Sequence, residues 1–415
     1  MSFDRTVLPN GLTVITEAMA GIRSVAVGIW VDTGSRDELA GEQGASHFLE
    51  HLLFKGTADL GSQEISMRFD AIGAEADAFT AKDSTCFSVR LLDDDLAEGL
   101  GLLAEMLQRP AFRPGDVDSE RDVVIEEINM SDDDPGDLAH EEFFRAAFSG
   151  HPLEHPVLGS RASIRALTPE VLEGYWRRRY RAGSMILAVA GNLNHRHVVD
   201  LAAELFGEWN GGAATRRLNE TPSGFGVRAV RRETEQVHLV LGGRGLIRGD
   251  NRRYAFGVLD AVLGGTASSR LFRTIREERG LAYSVYSFSA AYADAGAYGV
   301  YAGTTAHNAE TVLDLLSREL AKVAHGGVTA EELTRTKGGM RGSMALDLED
   351  PSSRMVRLGK EEITGMEHLS IDERIARLNA VTADDVYEVA QAVFAGPRVL
   401  GVVGPFDADD VERFL

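Results

Sequence analysis

The chain has 415 residues, 44% of them hydrophobic, with one cysteine and a formal net charge of −21. Because one ordinary hydrophobic core does not organise so long a chain, we expect two domains of about 200 residues each. The negative charge argues against nucleic acid and anionic membrane partners, and no apolar run is long enough to span a bilayer. The start of the chain has no signal pattern, and the lone Cys86 excludes an internal disulfide. We therefore expect a cytoplasmic protein.

The first half is predicted to begin with short strands and an early helix. Runs of β-branched and apolar residues predict strands at 12–16, 24–31, 75–80, 85–91 and 184–190. Helical periodicity predicts a helix between the second and third strands, several more after the fourth, and one at 195–205. Glycine and proline then predict a linker at 211–226.

The second half repeats this order. Strands are predicted at 237–241, 283–289, 297–303 and 398–403, and helices at 254–263, 309–323 and 330–348. Antiparallel strands followed by runs of helices predict an α+β fold rather than a doubly wound parallel sheet. We expect two tandem α/β-roll domains, at 1–210 and 227–415, each an antiparallel sheet with helices packed on it.

The first predicted helix contains a metal-binding pattern, H-x-x-E-H, at residues 47–51. His47 and His51 lie one turn apart on one helical face, so both imidazoles can bind one zinc ion. Glu50 projects from nearly the same side, where a carboxylate can take a proton from water at the site. The pattern is the inverted relative of H-E-x-x-H and predicts a zinc hydrolase.

A second copy of the pattern at residues 151–155 fails on local geometry. Pro152 lies inside it and Pro156 follows it, and proline costs a helix interior about 3 kcal/mol. The residue before each proline also favours extended backbone. We therefore expect His151 and His155 to lie in a loop that packs or faces solvent, without helical spacing.

A catalytic zinc needs a third protein ligand, and the best candidate lies in the predicted helix around 119–128. Glu120 and Glu127 are seven residues apart and lie at the edge of an apolar arc. A carboxylate held against an apolar face is costly unless it is paired or binds a metal. On helix geometry alone, Glu127 is as well explained by a salt bridge. Beside a zinc helix it becomes the leading ligand, and Glu120 becomes the residue that orients the site.

These residues together resemble the pitrilysin-type zinc peptidases. The resemblance is to the short-chain branch that contains the mitochondrial processing peptidase β subunit and bacterial processing-peptidase-like enzymes. That family joins H-x-x-E-H to a glutamate about 76 residues on, within E-R-x-x-x-x-x-E. Here Glu127 lies 76 positions after His51, and Glu120-Arg121 precedes it. The stretches 8–12 and 51–57 also match, and the resemblance runs across essentially the whole chain. It implies a bacterial zinc metalloendopeptidase with one zinc ion per chain.

The resemblance also assigns residues in the second half. The segment 268–283 matches the family's second signature, and this implies that Arg276 and Tyr283 contact a substrate carbonyl at a zinc site. A guanidinium and a phenol can both donate hydrogen bonds to developing negative charge. Without the resemblance, Arg276 would be a solvated helix charge and Tyr283 an ordinary strand aromatic. The histidines of this half, at 238, 307, 325 and 368, are too scattered along the sequence to build a second zinc site.

The family's architecture implies a dimer. Two halves face each other as a hollow clam shell, and a chain of this length supplies one half. The resemblance therefore implies a homodimer in which Arg276 and Tyr283 of the partner subunit complete each zinc site. A closed chamber would select peptides and unfolded segments as substrates.

One segment departs from the family's pattern. The family has Asn-Ala-x-Thr on an edge strand where peptide adds as a further strand, whereas this chain has Asp77-Ala78-Phe79-Thr80. Backbone contacts of Ala78 and Phe79 to substrate can persist. An ionised Asp77 cannot donate a hydrogen bond, so its contact to substrate must differ.

The resulting hypothesis is a peptidase in which His47, His51 and Glu127 hold zinc. Glu50 acts as the base, while Tyr283 and Arg276 stabilise the oxyanion. Two alternatives with the same fold are a non-catalytic scaffold and a peptide-binding subunit that needs a different partner chain. A third, lyase chemistry on a much smaller fold, conflicts with the length of the chain.

Overall fold

The computed structural model describes residues 3–209, 211–220 and 224–415. The strands are β1 (Asp4–Val7), β2 (Thr13–Ala18), β3 (Ser24–Val31), β4 (Glu75–Thr80), β5 (Thr85–Leu92), β6 (Met185–Gly191), β7 (Gly226–Arg231), β8 (Val237–Arg244), β9 (Ala282–Ala291), β10 (Gly296–Thr304) and β11 (Arg398–Gly404). The helices of the first half are α1 (Ala45–Leu53), α2 (Ser62–Ala71), α3 (Leu96–Gln108), α4 (Pro114–Asp133), α5 (Pro135–Ala147), α6 (Arg161–Ala166), α7 (Pro169–Arg179) and α8 (His195–Phe206). Those of the second half are α9 (Arg253–Leu263), α10 (Ala309–Gly326), α11 (Ala330–Asp347), α12 (Pro351–Ile363), α13 (Ile371–Ala380), α14 (Ala383–Phe394) and α15 (Ala408–Val411).

The structure confirms the predicted α+β class and adds helices and strands that the sequence analysis did not predict. No helix was predicted between residues 348 and 398, where α12, α13 and α14 lie. Two of these helices begin with side-chain caps, Asp350 before Pro351 and Thr382 before Ala383, which are signals readable from sequence. Strands β1 and β7 were also not predicted. Both are edge strands whose residues are exposed or half-buried, so their sequences lack a strong apolar alternation.

The chain forms two compact units that are discontinuous in sequence. Unit 1 comprises Met1–Ile128, His155–Arg217 and Met344–Ile371, and unit 2 comprises Asn129–Glu154, Leu218–Ser343 and Asp372–Leu415. Unit 1 thus includes α12 from the second half of the chain, and unit 2 includes α5 from the first. The boundaries at 210 and 227 remain a prediction about sequence domains.

Unit 1 is built on a mixed sheet of six strands in the order β1-β2-β6-β3-β5-β4. The pairing of β2 with β6 is parallel and the other pairings are antiparallel. Helices α1 and α3 pack with β5 in a core that contains the fully buried Phe48, Leu53, Phe87 and Leu103. This packing fixes α1 next to β4, the last strand of the sheet.

Helix α12 packs on strands β3 and β6 through a separate cluster that contains Trp30, Met355 and Leu358. The approach is close, because a Cβ atom on Gly359 would lie 2.0 Å from Trp30 Nε1. Glu17 on β2 forms ion pairs with Arg354 and Arg357 of the same helix, and its side chain is only 3% exposed. Apolar packing and buried ion pairs therefore both hold α12 on this sheet.

Unit 2 is built on a sheet of five strands in the order β7-β11-β8-β10-β9. Its pairings have the same directions as those of β2-β6-β3-β5-β4, with the first pair parallel and the rest antiparallel. Helix α5 packs on this sheet through Ala139 and Phe143, which contact a core that includes Val240 and Val399. The two units therefore repeat one topology, as the sequence predicts.

Candidate active site

The helix with the H-x-x-E-H pattern begins at a capped and buried end. Gly44 precedes α1 with φ of 90°, a left-handed conformation that favours glycine, and it has no side chain to cap the helix. Glu38 supplies the cap: its two carboxylate oxygens accept hydrogen bonds from the backbone N–H groups of Gly44 and Ser46, both at 2.8 Å. The Tyr175 hydroxyl lies 2.7 Å from Ser46 Oγ. These contacts fix the position of α1 immediately before His47.

Three potential metal ligands converge at one point in unit 1. The Nε2 atoms of His47 and His51 lie 3.2 Å apart, and Glu127 Oε2 lies 3.5 Å from each of them. Ligand atoms of a tetrahedral zinc site with bonds of about 2.0 Å are separated by roughly 3.3 Å. The donor set of two imidazoles and one carboxylate therefore fits zinc in both chemistry and spacing. Within residues 3–209, 211–220 and 224–415, this is the one group of three or more His, Cys, Asp or Glu residues so arranged.

The two histidines have different electrostatic environments. Burial, helped by the neighbouring His51, lowers the pKa of His47 to about 4, so its imidazole is neutral near pH 7. Burial also acts to lower the pKa of His51, but its hydrogen bond to Glu120 and the nearby carboxylates outweigh burial and raise that pKa. A neutral imidazole is the form that binds a metal, and His47 already has it.

Glu120 orients His51 from behind. Its Oε1 atom lies 2.8 Å from His51 Nδ1, so His51 Nδ1 donates this hydrogen bond and Nε2 remains available toward Glu127. The other carboxylate oxygen of Glu120 lies 2.6 Å from Lys55 Nζ. The Glu120 side chain is only 3% exposed, so Lys55 supplies the counter-charge that a buried carboxylate requires. Although burial acts to raise the pKa of Glu120, the hydrogen bonds from His51 and Lys55 outweigh it and lower that pKa.

Glu50 lies on α1 and is held by the strand beside it. Thr80, the last residue of β4, donates a hydrogen bond of 2.5 Å from Oγ1 to Glu50 Oε2. Burial raises the pKa of Glu50, and the hydrogen bond from Thr80 opposes that rise. A raised pKa brings a carboxylate closer to the range in which it exchanges protons at neutral pH.

The residues predicted to line a peptide lie on β4. This strand forms one edge of the sheet, and its residues alternate between exposed and half-buried. Asp77 is exposed, and its Oδ1 atom accepts a hydrogen bond of 2.9 Å from the backbone N–H of Ala78. Phe79 is 41% exposed and packs edge-on against Trp30 at 5.5 Å. The structure therefore brings the predicted edge strand next to Glu50.

Arg276 and Tyr283 lie together in unit 2. The Arg276 guanidinium lies over the Tyr283 ring, 4.4 Å from its centroid, and over the Phe272 ring at 4.6 Å. Residues Phe272–Glu277 form a π-helix, a rare conformation that is frequently found at functional sites. Tyr283 is the second residue of β9 and is 76% exposed. The pair is therefore preassembled and presents its phenol to the surroundings.

The second H-x-x-E-H copy is a tight turn, which confirms the prediction of a loop. Pro152–Glu154 form a single 3₁₀ turn. His151 is 3% exposed and lies with its Nε2 atom 3.5 Å from Asp294 Oδ2, while its Nδ1 atom accepts a hydrogen bond from Leu153 N. Glu154 accepts a hydrogen bond from Gly150 N. Both polar side chains therefore serve local structure.

Sequence reasoning missed Glu38, Lys55 and Thr80, which support α1, Glu120 and Glu50. Lys55 lies four residues after His51, so its position near that face was readable from spacing. Glu38 and Thr80 reach α1 from a preceding turn and from an edge strand, and no local pattern marks such contacts. The π-helix at 272–277 also has no sequence signal that we can identify.

The α+β fold carries a His-His-Glu group, and a further carboxylate, Glu50, lies on the same helix as the two histidines. This combination defines a candidate zinc hydrolase. Comparison with known proteins identifies the family to which the chain belongs. Residues 13–161 match the family described as "Insulinase (Peptidase family M16)", and residues 166–340 match "Peptidase M16 inactive domain". The chain belongs to peptidase family M16, the family of the pitrilysin-type peptidases. No helix among the described residues has the length and hydropathy needed to cross a bilayer.

Individual relatives agree with this assignment. An "Uncharacterized zinc protease" of Streptomyces coelicolor is 42% identical over 418 residues, covering 99% of this chain and 91% of that protein. The "Uncharacterized zinc protease YmxG" of Bacillus subtilis is 37% identical over 396 residues, covering 95% and 97%. These bacterial relatives support a zinc-dependent protease.

Two solved structures share the fold. A "peptidase M16 inactive domain" from Pseudomonas fluorescens superposes with a TM-score of 0.92 at 22% identity, covering 98% of this chain and 99% of that chain. A protease from Helicobacter pylori also gives a TM-score of 0.92 at 22% identity, with 97% and 99% covered. Both comparisons confirm the predicted fold.

Proposed function

We propose that this protein is a zinc-dependent endopeptidase that cleaves peptides or unfolded segments. The observation that carries the proposal is the convergence of His47 Nε2, His51 Nε2 and Glu127 Oε2 at spacings of 3.2 to 3.5 Å. Glu50 is on the same helix as the two histidines and accepts a hydrogen bond from Thr80. The names of the bacterial relatives support the same chemistry.

The mechanism assigns a task to each side chain. His47, His51 and Glu127 would hold zinc, which when bound activates water and polarises the scissile carbonyl. Glu50 takes the proton of the attacking water and passes it to the leaving amine. Glu120 keeps His51 in the tautomer whose Nε2 atom is free, because it accepts the hydrogen bond from His51 Nδ1.

The substrate is proposed to add along β4 as a further strand. This strand is the edge of its sheet, and it carries Asp77, Ala78 and Phe79 in the residues leading to Thr80. An edge strand offers backbone hydrogen bonds to an extended peptide without regard to its sequence. A folded protein has few free extended segments, so this mode favours peptides and unfolded chains.

We further propose a homodimer with a closed chamber, in which Arg276 and Tyr283 of the partner subunit stabilise the oxyanion at each zinc site. The exposed Tyr283 stacked on Arg276 supports a contact outside its own unit. A bacterial cytoplasm is the proposed location, because the lone cysteine suits a reducing compartment.

A second candidate function is a peptide-binding subunit that is non-catalytic or needs a different partner chain. The observation in its favour is the "inactive domain" description of the family matched by residues 166–340, which include Arg276 and Tyr283. The zinc-binding group lies within 13–161, which match the family's other model. Activity of the purified chain alone separates the two functions.

The first experiment measures bound zinc and cleavage of a quenched basic peptide in wild type, Glu50→Gln and Glu154→Gln. Glu154 is the matched control, because it has the same place in the second copy of the motif. We expect stoichiometric zinc in all three proteins and a loss of turnover of about 10²- to 10⁴-fold in Glu50→Gln alone. Zinc without cleavage by wild type would favour the second candidate. Wild type that cannot be loaded with zinc would refute the proposed zinc site at His47, His51 and Glu127.

The dimer is tested by subunit exchange between two inactive variants, Glu50→Gln and Tyr283→Phe. If each site takes Tyr283 from the partner subunit, half of the sites in a mixed dimer have both native residues. Activity should therefore return on mixing. A stable dimer in which subunits exchange without regaining activity would contradict the shared site.

A further inference from the structure

Thr80 makes a contact that the proposed mechanism leaves unused. It donates its hydroxyl hydrogen to Glu50 Oε2 at 2.5 Å, and Glu50 makes no other hydrogen bond within the described residues. The base is therefore oriented by one side chain of the neighbouring strand. This inference deepens the proposed function and rests on it.

The strand fixes where the hydroxyl points. Alternate residues of β4 face α1, and Ala76 and Ala78 on that face pack against the core that contains Phe48 and Leu49 of this helix. Thr80 is next in this alternation and pairs across the sheet with Thr85 of β5. Because threonine is branched at Cβ, few rotamers are available, and the hydroxyl stays directed at Glu50.

The hydrogen bond gives the two carboxylate oxygens of Glu50 different tasks. Oε2 accepts from Thr80, which leaves Oε1 to accept the proton of the attacking water. A carboxylate without this contact would rotate about its side-chain torsions and lose the alignment that proton transfer requires. The donor also stabilises the charged form of the half-buried base by a hydrogen bond that adds no charge of its own.

We propose that Thr80 is a positioning residue that holds Glu50 in its reactive orientation. Its place at the end of the edge strand also links the peptide-binding strand to the base. The residue acts through Glu50 and not through the zinc ligands or the substrate.

The kinetic test compares Thr80→Val, Thr80→Ser and Thr13→Val. Valine has the shape of threonine without the hydroxyl, serine keeps the hydroxyl, and Thr13 on β2 is a control for the same exchange elsewhere in the sheet. We expect kcat to fall about 10- to 100-fold in Thr80→Val with KM within about twofold of wild type. Thr80→Ser should restore most of kcat, and Thr13→Val should leave it unchanged.

A second readout does not need activity. In zinc-free protein, Thr80→Val should lower Tm by about 2–4 °C, but it should have little effect in a Glu50→Ala background, where the acceptor is absent. Thermal coupling between the two residues identifies the contact even in a protein that cleaves nothing.

The outcomes separate the inference from the proposed function. Wild type without turnover refutes the proposed function and, with it, the role of Thr80 in positioning a catalytic base, whatever the thermal result. If wild type is active, three results for the Thr80→Val variant would overturn the inference and leave the proposed function standing. These results are an unchanged kcat, a change in KM alone, and a loss of bound zinc. Equal loss in the valine and serine variants would also overturn it, because serine retains the donor.

Discussion

The two units of this protein have one strand topology and different chemistry. The segments that contain α1 and α9 can be aligned on the Gly-Thr pair that follows each helix, Gly56-Thr57 and Gly265-Thr266. In this alignment, the positions of His47, Glu50 and His51 are taken in α9 by Phe256, Leu259 and Asp260. Phe256 and Leu259 are buried, so α9 has packed apolar side chains where α1 has half-buried polar ones. The same scaffold therefore carries the helix proposed to bind zinc in one unit and a helix with apolar residues at two of the three equivalent positions in the other.

The comparison teaches that the site depends on a few side chains and their supports. Unit 1 adds Glu38 at the helix start, Glu120 with Lys55 behind His51, and Thr80 beside Glu50. In unit 2, the residues proposed to contact substrate are Arg276 and Tyr283, which stack on each other. Fold and function are thus separable within a single chain.

The largest expected effect comes from removing the ligand that distinguishes the two helices. His51→Asn should lower zinc affinity by more than about 100-fold, because a ligand atom is lost, whereas Asp260→Asn at the equivalent position of α9 should leave it unchanged. Competition with a chelator at constant pH measures the affinity. Equal zinc binding by the two variants would contradict the asymmetry of the units.

A second prediction concerns how closely α5 and α12 approach the glycines of the sheets on which they pack. A Cβ atom on Gly401 of β11 would lie 2.5 Å from Ala139 O and 2.8 Å from Phe143 N of α5, both of which are backbone atoms. On Gly28 of β3, it would meet the flexible end of Met355 at 2.2 Å. Because a backbone cannot yield as a methionine can, Gly401→Ala should cost about 3 kcal/mol and Gly28→Ala about 1 kcal/mol. Urea unfolding followed by intrinsic fluorescence provides the measurement, and the reverse order would show that α12 is held more rigidly than α5.

The last expected effect is a gradual pH dependence at the starts of α1 and α9, which is at most about 1.4 kcal/mol for each pH unit. Burial raises the pKa of Glu38 to about 8, whereas the hydrogen bond and charge of Arg252 lower the pKa of Asp250. A folded state with a raised carboxyl pKa keeps a proton that the unfolded chain has released. Stability from Glu38 is therefore complete below about pH 4.5 and is lost as the pH rises toward 8.

The measurement is the free energy of unfolding of wild type, Glu38→Gln and Asp250→Asn between pH 5 and pH 8. Relative to Glu38→Gln, wild type should lose stability with a slope of at most about 1.4 kcal/mol per pH unit. Asp250→Asn should run parallel to wild type, since stability from a lowered carboxyl pKa is lost only in more acidic solution. Parallel curves for wild type and Glu38→Gln would show that Glu38 does not titrate in this window.

Much of the candidate site was predictable because its main spacings are local. Residues four apart on a helix share a face whatever surrounds them, so the pair His47 and His51 needed no tertiary information. The rejection of 151–155 rested on proline geometry and was equally local. Glu127 required the resemblance as well, because helix geometry alone left an ordinary salt bridge open.

The sequence by itself determined the family, the repeated α+β topology and the residues proposed to hold zinc. Only the tertiary structure decided what supports them: Glu38 capping α1, Lys55 balancing Glu120, Thr80 holding Glu50, and Arg276 stacking on Tyr283. It also decided that α5 and α12 each pack in the unit built mainly from the other half of the chain. The reason is that helical spacing is fixed by backbone geometry over one turn, whereas these contacts join residues whose distance is set by the packing of whole elements.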